Sequence, residues 1–244
     1  MGRLEDALIA AVKSAGPKPP DDAPQSMKNP WVGRLSNVLA LAFAEELRLR
    51  GMTQARPAGP GELGVSGAER RLAGGIGAKK VDVTWATEES GLILACSVKT
   101  IMYRDAKSGN FQKNLTNRRG DLTVEAVTLH RRFPYAVLSG WLFLDAQAAR
   151  DGTARRKSTF DNAFTRLRLF TGRSDPAGRE EQFERLFLLL LDANPFAPTI
   201  TCYHVADASI PVDVDQAMTE LVSLLGERNF DLYESDDLGN IRKV

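Results

Sequence analysis

The sequence predicts an α/β fold in which a central mixed β-sheet is flanked by helices on both faces. Three observations carry this expectation. Residues 81–100 (VDVTWATEESGLILACSVKT) read as two strands joined by an acidic turn. Residues 135–144 (YAVLSGWLFL) form an apolar run bounded by Pro134, as expected of a central strand covered on both sides. The remaining segments carry apolar residues at helical spacing. They give the order helix, strand, strand, helix, strand, helices, strand, helix, which is that of a layered sheet.

A chain of 244 residues with 43% hydrophobic and 26% charged content is long enough to bury one sizeable core. Net charge is only +1, so any affinity for nucleic acid must come from local basic patches. Two such patches are present. Lys99, Arg104, Lys107, Lys113, Arg118 and Arg119 stand against Asp105 alone, and residues 150–173 are similarly basic around Arg155, Arg156 and Lys157. Cys96 and Cys202 sit in expected strands without a CxxC partner, so they read as buried free thiols of a reducing, cytoplasmic compartment. The first residues are acidic and amphipathic and the longest apolar run is short. Neither a signal peptide nor a membrane span is expected.

In chain order, residues 3–14 have helical spacing through Leu4, Leu8, Ala11 and Val12. GPKPPDDAP follows as a stiff connector closed by Asn29-Pro30-Trp31, which places a boundary between residues 1–30 and a single domain at 31–244. A helix over residues 32–50 stops at Gly51, with Leu35, Val38, Leu39, Ala42, Phe43 and Leu49 on its apolar face. Glu46 falls near the middle of that face, so it needs a metal or a cation, and Arg50 is the nearest cation. Residues 56–77 read as an irregular connection with a short helix over 68–72. After the hairpin comes a basic loop at 103–119, with Tyr103 and Phe111 among the cations, and then a helix over 118–133. Asp121 and Glu125 lie one turn apart on one face of that helix. Beyond the strand at 135–144, helices are expected over 159–170 and 180–191. A strand at 199–205, a helix over 214–225 and a frayed acidic tail from 233 complete the chain.

Asp82 on the first strand of the hairpin, Ser97-Val98-Lys99 on the second, a helix and then a buried strand resemble the core of the PD-(D/E)XK nuclease superfamily, which includes type II restriction endonucleases. The resemblance covers residues 32–144 and implies a restriction endonuclease-like sheet, Mg2+ (or Mn2+) as cofactor and double-stranded DNA as substrate. One position departs from it: the acid two residues before the lysine is Ser97, and a hydroxyl cannot supply a carboxylate's charge to Mg2+. Some members with a Ser-Val-Lys tail take the missing carboxylate from the following helix. That implies Glu125, with Asp121 as runner-up, although an acid near a helix N-terminus also complements the dipole. By this resemblance Asp82, Glu125 and Glu46 would ligate metal, and Lys99 would orient water or neutralise phosphate. Arg104, Lys107, Lys113, Arg118, Arg119, Arg155, Arg156 and Lys157 would hold the DNA backbone. Double-strand cleavage with one site per chain makes a homodimer the expected assembly. The competing expectation is a non-catalytic DNA-binding or assembly module, with Ser97 marking a lost site. Neither GGIGAK, which precedes a strand rather than joining strand to helix, nor the separated His130 and His204 points to another cofactor.

Overall fold

The computed structural model describes residues 2–59 and 70–244. Its centre is a six-stranded mixed sheet in the order β3-β4-β5-β6-β7-β8. These strands are β3 (Val83–Thr87), β4 (Gly91–Ile101), β5 (Val137–Asp145), β6 (Arg185–Asp192), β7 (Thr199–His204) and β8 (Asp207–Val212). The pairs β4–β5 and β5–β6 are parallel and the others antiparallel. Parallel strands need both faces covered. On one face α1 (Arg3–Ser14), α2 (Gln25–Leu49) and α5 (Val214–Arg228) bury Leu8, Trp31, Phe43 and Leu221 against Val98, Trp141 and Phe187. On the other, α3 (Lys113–His130) and α4 (Thr159–Leu167) bury Leu122, Leu129 and Phe164 against Leu138, Leu142 and Leu188. The α/β fold with a mixed sheet between helices is therefore present.

Two glycines set close approaches. Gly51 takes φ +101 just past the end of α2, and a side chain there would meet the Ile241 carbonyl oxygen at 2.3 Å. Gly140, opposite Ser97 in the β4–β5 register, faces α3. A Cβ there would lie 2.4 Å from Leu186 and 3.4 Å from Leu122.

Several expectations need correction. α2 begins at Gln25, so the proposed boundary after residue 30 falls inside a helix. Pro30 removes one amide donor, but the buried Trp31 beside it, whose Nε1 donates to the Gly16 carbonyl at 2.9 Å, holds the turn in place. The α1 residues Leu4, Leu8, Ala11 and Val12 join the same core, so this segment is integral to the domain. Leu49, expected on the apolar face, is exposed. Residues 180–191 form no helix. Arg185–Asp192 is a central strand that sends Phe187, Leu189 and Leu191 into one core and Leu186 and Leu188 into the other. A strand buried on both faces shows no alternation, so its apolar run reads equally as helix. The tail is ordered as a hairpin of β9 (Tyr233–Ser235) and β10 (Ile241–Lys243), with Tyr233 against Trp85 and the Ile241 amide donating to the Arg50 carbonyl at 2.8 Å. The short helix expected over 68–72 begins outside the described residues, and its end lies in β1 (Arg70–Ala73), which pairs with β2 (Ala78–Val81). No helix among the described residues is long and apolar enough to cross a membrane.

Candidate active site

Asp82 is the single residue between β2 and β3. The chain changes sides there, since Val81 enters one core and Val83 the other. That break frees the Asp82 carboxylate to turn toward β4, where its Oδ2 accepts from the Val98 amide at 2.7 Å and from Lys99 Nζ at 2.8 Å. Ser97 and Lys99 alternate with Val98 and so face α3. From α3, Glu125 brings Oε2 to 3.6 Å from Lys99 Nζ and 4.0 Å from Lys79 Nζ. Asp82 and Glu125 thus both pair with one ammonium.

Glu125 is only 1% exposed, and its Oε2 makes no hydrogen bond. An orphaned buried carboxylate oxygen is costly, and it marks the position where a further ligand would be satisfied. The Ser97 hydroxyl lies beside Glu125 and favours its charged form, yet it too completes no well-formed hydrogen bond. Burial pushes the Glu125 carboxyl above its ordinary range despite the pull of Lys99. Burial acts the other way on Lys99, but the charges of Glu125 and Asp82 prevail and raise its pKa, so the ammonium is retained at neutral pH.

These groups line a cleft of about 370 Å³ together with Lys79, Lys80, Asp121 and Arg118. Asp121 stays on its rim, 49% exposed at the side chain and paired with Arg118 at 3.3 Å. Neither lysine of β2 was singled out in the sequence, although both precede Asp82 by no more than a turn of the chain. The segment containing them read only as a glycine-rich approach to a strand.

Glu46 is the main correction. Its carboxylate accepts from Arg3 Nε and Nη2, both at 2.8 Å, and from Arg50 Nε at 2.6 Å. Burial alone would raise its pKa, but the hydrogen bonds from these two arginines hold it below the usual range. It lines no part of the cleft, to which α2 contributes Val32 and Ser36. An acid on a buried helix face needed a cation, and two arginines fill that need.

The expected phosphate-binding residues divide. Arg118 lines both this cleft and a neighbouring one of about 400 Å³, which also holds Lys28, Tyr103, Arg104 and Lys113. Lys113 is bonded to Asp105 at 2.7 Å, which draws the Asp105 carboxyl down to about 2. Arg119 lies 6.0 Å from the Phe170 ring. Lys107, Arg155 and Lys157 are exposed on loops. Arg156 turns inward instead, donating to the Asp151 backbone carbonyl. Asp151 ties the two basic loops together by accepting from the Phe111 amide at 3.1 Å and the Thr159 amide at 2.6 Å.

Of the two histidines, His204 lies in the strand β7 and His130 on the buried side of α3. His130 is buried, with Nε2 3.3 Å from the Glu184 carboxylate, and His204 lies 3.1 Å from Glu220. Cys96 and Cys202 are free and buried, and burial pushes their thiols up to about 11 and about 12. Among the described residues no group of three His, Cys, Asp or Glu side chains gathers to hold a metal ion. Asp82 and Glu125 are therefore the pair the structure offers, and two carboxylates suit Mg2+, which takes its other ligands from water and phosphate oxygens.

Comparison with protein-family models, with curated proteins and with solved structures finds no match to this chain.

Proposed function

We propose that the protein is a metal-dependent endonuclease that hydrolyses phosphodiester bonds in double-stranded DNA, of the restriction or phage-defence kind, acting in the cytoplasm as a homodimer. The observation that carries this reading is the pair Asp82 and Glu125 across Lys99, with an orphaned carboxylate oxygen facing a cleft that also holds Lys79, Lys80 and Arg118. This is the arrangement that the resemblance to PD-(D/E)XK nucleases implies, with the acid missing at Ser97 supplied from α3.

Asp82 and Glu125 would hold Mg2+ or Mn2+, which supplies Lewis acidity toward the phosphate. Lys99 keeps its proton between two carboxylates, so its part is to balance charge on the scissile phosphate rather than to accept a proton. The Val98 amide and the Lys99 ammonium fix the Asp82 carboxylate before substrate arrives. Arg118 bridges to the adjoining basic cleft, where Lys28, Arg104 and Lys113 offer contacts to neighbouring phosphates.

The test is cleavage of supercoiled plasmid with Mg2+, Mn2+ or EDTA. Asp82→Ala and Lys99→Ala are expected to abolish cutting while metal-free DNA binding survives, and undiminished cutting by clean Asp82→Ala protein would overturn the assignment. A second reading, a non-catalytic DNA-binding module, draws on Ser97 and on the lack of a three-carboxylate cluster among the described residues. Binding without cutting under every metal condition would establish it.

A further inference from the structure

Because β4, β5 and β6 run parallel, their C-terminal ends share one edge of the sheet, and such edges are where α/β sheets take ligands. The candidate active site occupies the β4 end. Where β5 ends at Asp145 and β6 at Asp192, another cleft of about 740 Å³ opens, lined by these two acids, by Lys18 and Arg150, and by the polar side chains of Gln147, Asn194 and Thr199. On this cleft stands Phe196, 90% exposed, the most exposed large hydrophobic side chain among the described residues. Its position is built. The Asn194 amide donates to Asp192 Oδ1 at 3.1 Å and the Phe196 amide donates to Asn194 Oδ1 at 3.0 Å, two successive side-chain turns that present the ring outward.

Contacts join this cleft to the active site through the basic cleft between them. Val32, Thr100 and Arg118 line both the active-site cleft and the middle one. From the middle cleft, Arg104 donates to Gln147 Oε1 at 2.8 Å. Lys18, bonded to Asp145 at 2.7 Å, lies 4.9 Å from the Tyr103 ring centroid. Lys99 is opposite Leu142 in register, three residues before Asp145. Two strand spacings across and three residues along put the end of β6 roughly 14 Å from Lys99.

We propose that the cleft at the ends of β5 and β6 is a nucleobase subsite, in which Phe196 stacks on an unpaired base of a bound strand. The path of that strand rests on the nuclease reading; the stacking itself does not. Arg150 meets a flanking phosphate, and the polar lining meets the edge of the base. An aromatic ring held in water at a polar cleft of mixed charge loses exposure when a base covers it, and every base has a face that can do so.

The experiment measures fluorescence anisotropy of a labelled single-stranded 12-mer with full-length protein in EDTA across a salt series. Plasmid cleavage is run in parallel, with dAMP as competitor. Phe196 is outside the core, so its replacement leaves the fold intact. Phe196→Ala and Phe196→Leu are expected to bind roughly five- to a hundredfold more weakly with the salt dependence unchanged, and Phe196→Tyr to bind as wild type. Phe196→Ala binding as tightly as wild type overturns the subsite. So does dAMP competing as strongly as the oligonucleotide, which would make the cleft a free-nucleotide site. Protein that cuts plasmid while Phe196→Ala binds normally overturns the subsite and leaves the nuclease reading standing. Protein that binds through Phe196 yet never cuts overturns the nuclease reading and supports the subsite.

Discussion

Glu125 and Ser97 each bury an oxygen that makes no hydrogen bond, but Glu125 Oε2 has the Lys99 ammonium 3.6 Å away. A carboxylate in that position can be satisfied by a cation, whereas a hydroxyl gains little from one. Glu125→Gln is therefore expected to lower plasmid cleavage by on the order of a hundredfold or more, the scale of losing one charged group at a reacting centre. Ser97→Ala removes an unpartnered hydroxyl and should leave rate and stability close to wild type. Steady-state cleavage of the two variants side by side checks this, and a larger loss from Ser97→Ala would move the metal away from α3. Ser97 could be named from the sequence because it stands two residues before Lys99 and so shares its face, whereas Glu125 was named only through what the resemblance to PD-(D/E)XK nucleases implies. The lysines of β2 could not be named so readily, because their nearness to Glu125 depends on a separate hairpin outside the main sheet.

Elements declare themselves in sequence through their period or through the residues that bound them. The helices α1 and α5 and the strands β4 and β5 are legible in this way, and so is the body of α3, which begins at Lys113 inside the expected basic loop. The strand β6 is not: it is buried on both faces like β5, but its run of leucines suits a helix as well as a strand. The edge strand β8, with Pro211 in it, carries almost no apolar signal and was missed. Glu46 belongs to this scale as well, since it fastens α1 to α2 through Arg3, while Arg50 reaches on to Thr219 of α5 at 3.0 Å. Glu46→Ala strands Arg50 in a buried setting, which costs about 3 kcal/mol, a fall in Tm of roughly 6–12 °C for a chain of this size. Calorimetry should show that loss while cleavage per folded molecule stays at the wild-type level. A stable variant that no longer cuts would return Glu46 to the active site.

Across the whole molecule, a second buried charge network joins parts that are distant in sequence. Glu184 accepts from Arg173 at 2.9 Å, from Arg228 at 2.6 Å and from the Leu138 amide at 2.6 Å, with His130 at 3.3 Å. Burial would raise its pKa, but the hydrogen bond from His130 and the charges of His130 and Arg228 lower it. A carboxyl depressed in the folded state contributes stability above its unfolded pKa of about 4.5, and that contribution is lost as pH falls through the folded value. Glu46 adds to the same acid-side loss. In Glu184→Gln, Tm at pH 7 is expected to drop and its decline between pH 5 and 3 to flatten; melting curves of unchanged slope over that window would exclude this role. No spacing rule brings α3, the start of β5, the segment before β6 and α5 to one point, so this network was not legible before the fold was known.

Gly140 carries none of the site's charges, yet the space left by its missing side chain is filled by Leu186 of β6 and bordered by Leu122 of α3. Leu122 rests close to the space a Cβ would take, and Glu125 is one turn further along the same helix. The gap between the helix-borne carboxylate and the strand-borne ammonium is thus a packing dimension, resting on the layer of side chains between α3 and the sheet. On the nuclease reading, activity is then open to tuning from inside the core, by the thickness of a single layer, with Asp82, Lys99 and Glu125 left as they are.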